Sequence, residues 1–179
     1  MKKIVVIGAG TMGNGITHVF AQNGFKVTMI DISMEALEKA KNTIASNLDR
    51  MVKKEAITEE TKQATLANIS ISTSLSDSGT DADLMVEAAS ERMDIKLKIF
   101  MEADQILPAH AILASNTSSI SITKIASATQ RPDKIIGMHF MNPVPVMKLV
   151  EVIRGYATSD ETTNLTMDLS RQLGKSPVE

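Results

Sequence analysis

A chain of 179 residues, 43% hydrophobic and 22% charged, has the size and make-up of a soluble globular domain. Its 19 basic and 21 acidic side chains leave a net charge of −2, which gives no electrostatic reason to expect nucleic acid or an anionic membrane as a partner. The lack of cysteine excludes disulfides, thiolate metal sites and a cysteine nucleophile; no metal site is expected, and the cytoplasm, a reducing compartment, is the expected setting.

Aromatic residues are only 3%, so the core must be aliphatic, and the 12 methionines scattered through apolar runs read as packing. Met1-Lys2-Lys3 precedes an apolar run, but that run stops at Gly8 and polar residues follow, which is not the pattern of a signal peptide. No stretch approaches the length of a membrane span.

In chain order, Lys3-Ile4-Val5-Val6-Ile7 reads as a fully buried strand. Gly8-Ala9-Gly10-Thr11-Met12-Gly13 follows at once, then helical spacing over residues 14–23 closed by Gly24, then a β-branched run over 27–30 ending on Asp31. Strand, glycine turn, helix, strand and acid within one βαβ length form a dinucleotide fingerprint. Gly8 allows the sharp turn, Gly10 lets a pyrophosphate approach the backbone, and Gly13 lets the helix pack close to the sheet. The helix N-terminus offers free N–H groups to the phosphates. Asp31 accepts hydrogen bonds from the ribose hydroxyls and repels a 2′-phosphate, so NAD is expected rather than NADP. His18, inside this first helix, reads as a surface or half-buried residue.

Ser33 is a candidate N-cap for a helix running to about Lys54, with Leu37, Ala40, Ile44 and Leu48 at helical spacing. Its basic end, Arg50, Lys53 and Lys54, is explained most plainly as cations complementing the helix C-terminus, with a phosphate clamp as the other reading. A short helix is expected over 58–67, strands over 69–75 and 84–88, a helix over 92–105, a strand over 111–114, and a helix opening near Ser121. A strand over 134–140 carries His139, the Asn142-Pro143-Val144-Pro145 segment forces an extended turn, and a strand over 148–153 follows. A helix over 159–173 and the start of a strand at 176–179 complete the chain. Such alternation implies an α/β, Rossmann-type, doubly wound and mostly parallel sheet with helices on both faces. Ligands bind at the carboxyl ends of such strands, so Asp31, residues 87–91, residues 116–119, His139 and Asn142 are expected to face one crevice.

Hydride transfer from an alcohol to NAD needs a general base that titrates near neutrality. His139 is the only histidine expected at a strand end; Glu151, in the following strand, is placed to come back alongside and orient the ring, and Ser118 to hydrogen-bond the reacting oxygen.

Three motifs, Ser115-Asn116-Thr117-Ser118-Ser119, Gly137-Met138-His139-Phe140-Met141-Asn142-Pro143-Val144-Pro145 and Lys148-Leu149-Val150-Glu151-Val152-Ile153, carry a resemblance to the L-3-hydroxyacyl-CoA dehydrogenase family, closest to its bacterial 3-hydroxybutyryl-CoA dehydrogenases. The resemblance covers the whole chain. It implies oxidation of a (3S)-3-hydroxyacyl-CoA to the 3-ketoacyl-CoA with NAD, or the reverse, with His139 as general base, Glu151 as its orienting partner and Ser118 as hydrogen-bond donor to the substrate oxygen. It places Asp31, Glu91, Lys96, Ser118 and Asn142 around the cofactor beside the glycine turn, and Arg50 and Lys54 near the CoA moiety. Met141 and Arg50 depart from the family pattern, which has Phe and Lys there. It also implies that residues 1–179 are the NAD-binding domain, that from about residue 175 the connection to a helical second domain begins, and that this second domain, absent here, supplies homodimer contacts. A non-catalytic NAD- or CoA-binding module is the competing expectation, favoured for this chain by itself by the missing second domain.

Overall fold

The computed structural model describes residues 1–179. Strands β1 (Lys3–Ile7), β2 (Lys26–Ile30), β3 (Ile69–Ser72), β4 (Leu84–Glu87), β5 (Ile112–Ser115), β6 (Ile135–Phe140), β7 (Leu149–Arg154) and β8 (Ser176–Val178) form one sheet in the order β3-β2-β1-β4-β5-β6-β7-β8. The first six run parallel; β7 pairs antiparallel with β6, and β8 runs parallel to β7. The β-branched run of β1 sits at the centre because both its faces are covered. Ile4 and Val6 enter one apolar cluster and Val5 and Ile7 the other, as the period-two alternation of a strand requires.

The helices take those two faces. Helices α1 (Thr11–Gln22), α2 (Met34–Lys53) and α6 (Asp160–Gln172) contribute Ile16, Phe20, Ile44, Leu48 and Leu169 to the first cluster. Helices α4 (Met93–Ile106) and α5 (Ile122–Ala126) contribute Phe100, Ala103, Ile122 and Ile125 to the second. Helix α3 (Glu59–Ala67) leads into β3 at the sheet edge. Hydroxyl caps open most of them: Ser33, Thr58, Ser121 and Ser159 each accept a hydrogen bond from a backbone N–H in the first turn. Strand β3 stops at Ser72, short of the expected Leu75, because the Ser72 hydroxyl takes the Ser74 N–H at 3.1 Å and turns the chain.

His18 is more deeply buried than the surface or half-buried position expected of it. It is only 1% exposed, and neither ring nitrogen has a hydrogen-bond partner. Burial pushes its pKa below the ordinary histidine value; the Gln22 side chain, outside hydrogen-bond geometry, opposes this, and the Lys175 charge adds to it. The ring is therefore neutral in the fold and takes up a proton more readily when unfolded. Stability is expected to be intact above about pH 6.5 and to fall as the pH drops below it, by at most about 1.4 kcal/mol per pH unit. Urea unfolding of the wild type and His18→Leu between pH 7 and 5 checks this: the variant should lose less stability on acidification, and parallel curves would contradict it.

Candidate active site

The chain order reverses between β1 and β4, and the crevice lies at the carboxyl ends of those strands. Gly8 makes the turn with φ +106°, tied by its N–H to the Ile30 carbonyl at 2.7 Å; a Cβ there would lie 2.6 Å from the Ala88 carbonyl oxygen. A Cβ on Gly13 would lie 1.8 Å from the Gly8 carbonyl oxygen, whereas one on Gly10 would meet nothing within 4 Å. The fold itself needs Gly8 and Gly13. Gly10 keeps open space beside the backbone, which is the space a pyrophosphate requires. Gly10 is also the N-cap of α1, no side chain caps that end, and no acid occupies its first turn, so the N–H groups of Thr11, Met12 and Gly13 remain for an anion.

Two clefts meet at this turn, sharing Asp31 and Ala89. One, of about 640 Å³, is the more polar of the two and is walled by Gly10, Thr11, Asp31, Lys39, Asn142 and Pro143. The other, of about 570 Å³, is lined by Ile7, Ile30, Ile32, Leu75, Ile95 and Ile99, which suits a flat base. Ile32, 98% exposed, is an apolar side chain left in water unless something covers it. Asp31 is fixed between the clefts: its carboxylate accepts the Ala9 N–H at 2.8 Å and the Ser33 N–H at 3.0 Å. Each oxygen retains a lone pair for a ribose hydroxyl. The residues present therefore fit the expected dinucleotide.

The other half of the site is built by β6 and β7. His139 and Glu151 are direct cross-strand partners in the antiparallel register, and the Glu151 carboxylate oxygen lies 2.8 Å from His139 Nδ1. With Nδ1 engaged, Nε2 is the nitrogen left for a substrate proton. The imidazole is 18% exposed and the carboxylate 47%, so the pair sits at the rim. Asn116 pins the strand end, its Oδ1 accepting the Phe140 N–H at 2.8 Å. Glu91 ties down the facing loop: its carboxylate accepts the Thr117 hydroxyl at 2.7 Å and the Ser118 N–H at 3.2 Å, and Ser118 itself is exposed.

Glu87 does not face the crevice. It is fully buried, accepting Lys96 Nζ at 2.6 Å, the Ser115 hydroxyl at 2.8 Å and the Ala89 N–H at 2.8 Å. Lys96 is 2% exposed beneath the crevice floor, 4.0 Å from Glu91, so it meets the site from below through these partners. A buried carboxylate and ammonium cost desolvation energy that only such complete pairing offsets. Arg50 and Lys54 are exposed at the far end of α2; Arg50 shares a shallow surface groove with Lys39 and Asn47, which also line the polar cleft.

Sequence reasoning missed three contributors. Gly15 lies inside α1, where glycine lowers helix stability; a Cβ there would lie 2.8 Å from Val144, so it makes room for the Pro-rich loop. Lys39 is the cation on the cleft wall, visible in the i, i+4 stripe Glu35, Lys39, Thr43, Asn47. Lys175 is buried under that loop, and no sequence pattern singles it out.

A family model described as "3-hydroxyacyl-CoA dehydrogenase, NAD binding domain" matches residues 3–179. The chain is 50% identical over 175 residues to a 3-hydroxybutyryl-CoA dehydrogenase of Bradyrhizobium diazoefficiens, covering 98% of this chain and 59% of the relative. It is 49% identical to a probable 3-hydroxybutyryl-CoA dehydrogenase of Bacillus subtilis, covering 100% of this chain and 62% of the relative. The crystal structure of (S)-3-hydroxybutyryl-CoA dehydrogenase from Ralstonia eutropha superposes with a TM-score of 0.96 at 52% identity, covering 99% of this chain and 62% of that one. The chain thus spans about three fifths of the length of these relatives. No helix is long and apolar enough to cross a membrane.

Proposed function

Because the chain belongs to the NAD-binding domain family of the 3-hydroxyacyl-CoA dehydrogenases, we propose that it is the cofactor-binding part of an enzyme that interconverts a (3S)-3-hydroxyacyl-CoA, 3-hydroxybutyryl-CoA in particular, and the 3-ketoacyl-CoA. The observation that carries the proposal is the 2.8 Å contact of His139 Nδ1 with Glu151 at the carboxyl end of β6, in the same sheet as the glycine turn. NAD, when bound, takes the hydride from C3 of the hydroxyacyl group or returns it. His139 Nε2 takes the hydroxyl proton during oxidation and returns it during reduction. Glu151 holds the ring by its Nδ1–H and stabilises the imidazolium. Ser118 donates a hydrogen bond to the reacting oxygen. Asp31 holds the adenosine ribose, residues Gly8, Ala9, Gly10, Thr11, Met12 and Gly13 receive the pyrophosphate, and Asn142 and Glu91 flank the nicotinamide side. Lys96 supports that side from below. Arg50 and Lys54 attract the CoA phosphates. Residues 1–179 act as one NAD-binding domain, with a helical domain in the remaining length providing homodimer contacts, in the cytoplasm.

The test is NADH consumption by a protein joining these residues to the remaining length of a relative, offered acetoacetyl-CoA or free acetoacetate. Turnover with the CoA ester, and much slower turnover with the free acid, is expected. The 179 residues alone should bind NADH yet turn over slowly, because His139 and Ser118 face water without a second wall. Tight NADH binding with no turnover in the joined protein would favour a non-catalytic module.

A further inference from the structure

The Asn142-Pro143-Val144-Pro145 loop forms one wall of the polar cleft, and it has few means of holding itself in place. Its two prolines have no N–H, and its internal hydrogen bonds are those of Val146 N–H and Met147 N–H, which both go to the Pro143 carbonyl. Val144 is 2% exposed, so its carbonyl belongs to a buried residue that needs a donor. That donor is Lys175. Its ammonium donates to the Val144 carbonyl and, at 2.8 Å, to the Met147 carbonyl.

Lys175 follows Gly174, whose φ of +70° ends α6, and its side chain is turned inward, with the residue 8% exposed. Burial and the neighbouring Lys148 charge push its pKa below the usual lysine range. Bringing an ammonium into this position without a carboxylate partner is costly, and two loop carbonyls are what it gains. Lys148 reinforces the junction, with Nζ on the Gly174 carbonyl at 3.3 Å and its own carbonyl accepting the Ser176 N–H at 2.8 Å. The Val144 side chain packs against Gly15 of α1, where a Cβ would lie 2.8 Å from it. The loop is thus held by a small residue on α1 and by a cation at the α6–β8 junction.

We propose that Lys175 is a positioning residue for cofactor binding, fixing through the Val144 and Met147 carbonyls the loop that presents Asn142 and Pro143 to the dinucleotide. The proposal rests on the reading of this crevice as an NAD site. The loop follows β6, across the switch point from Asp31, so it serves the nicotinamide side of the cofactor and not the adenosine side.

The experiment titrates NADH and AMP into the wild type and Lys175→Met, with thermal unfolding recorded alongside. NADH affinity should fall about tenfold or more while AMP affinity stays within about twofold. Should Lys175→Met fail to fold, Gly15→Ala places a Cβ 2.8 Å from Val144, displaces the same loop and should give the same split. Unchanged affinity for both ligands in a folded variant overturns the proposal. An equal loss of both also overturns it, since that is what a general structural role produces. A wild type that binds neither ligand would refute the NAD reading itself, which the variant comparison keeps separate.

Discussion

Replacing His139 by Gln, in a protein carrying this chain with the remaining length of a relative, is expected to lower acetoacetyl-CoA reduction roughly a hundredfold to ten-thousandfold with NADH affinity nearly unchanged. Gln matches the imidazole in rough size but cannot exchange a proton near neutral pH, so the loss falls on chemistry and not on binding. Glu151→Gln should cost less. Its side chain keeps an oxygen to accept the Nδ1–H now held at 2.8 Å, and only the charge that stabilises the imidazolium is lost. Steady-state kinetics beside NADH titration checks both variants. Near-normal turnover in His139→Gln would remove this residue from the mechanism.

The second large effect separates two glycines that look alike in the fingerprint. Gly13→Ala places a Cβ 1.8 Å from the Gly8 carbonyl oxygen, a backbone atom that cannot rotate away. Helix α1 must shift off β1, with a loss of stability at or beyond the upper end of the roughly 1–3 kcal/mol typical of overpacking. NADH binding should go with it. Gly10→Ala meets nothing within 4 Å, so its folding should be close to wild type, yet its methyl group occupies the pyrophosphate space and should weaken NADH by about tenfold or more. Melting temperatures and NADH titrations of the two variants give the comparison. Equal stability of both, or unimpaired NADH binding by Gly10→Ala, would contradict these roles.

What could be read from the sequence divides along a physical line. The glycine turn was legible because backbone conformation and close approach are encoded in residue identity: only glycine serves at φ +106° or at a 1.8 Å contact. The His139–Glu151 pair was legible because a strand, a Pro-rich turn and a returning strand bring residues 12 apart face to face. Glu87 was not. An acid at a strand end looks like a crevice residue, and nothing local signals that Lys96 and Ser115 reach it from other elements under the floor. His18 went further than expected: polar character on a helix suggested a surface or half-buried place, but the Pro-rich loop packs against α1 at Gly15 and the ring is fully buried. Lys175 and Gly15 depend on contacts across 28 and more residues, which no local pattern carries.

The most direct test of an NAD site at this crevice is calorimetric titration of the 179-residue chain with NADH and NADPH. Asp31, held by the Ala9 and Ser33 N–H groups, directs its remaining lone pairs at the ribose and repels a 2′-phosphate. NADH should bind at least about tenfold more tightly than NADPH, and Asp31→Ala should weaken NADH and erase most of the difference. Equal affinity for the two in the wild type, or a preference for NADPH, would contradict it.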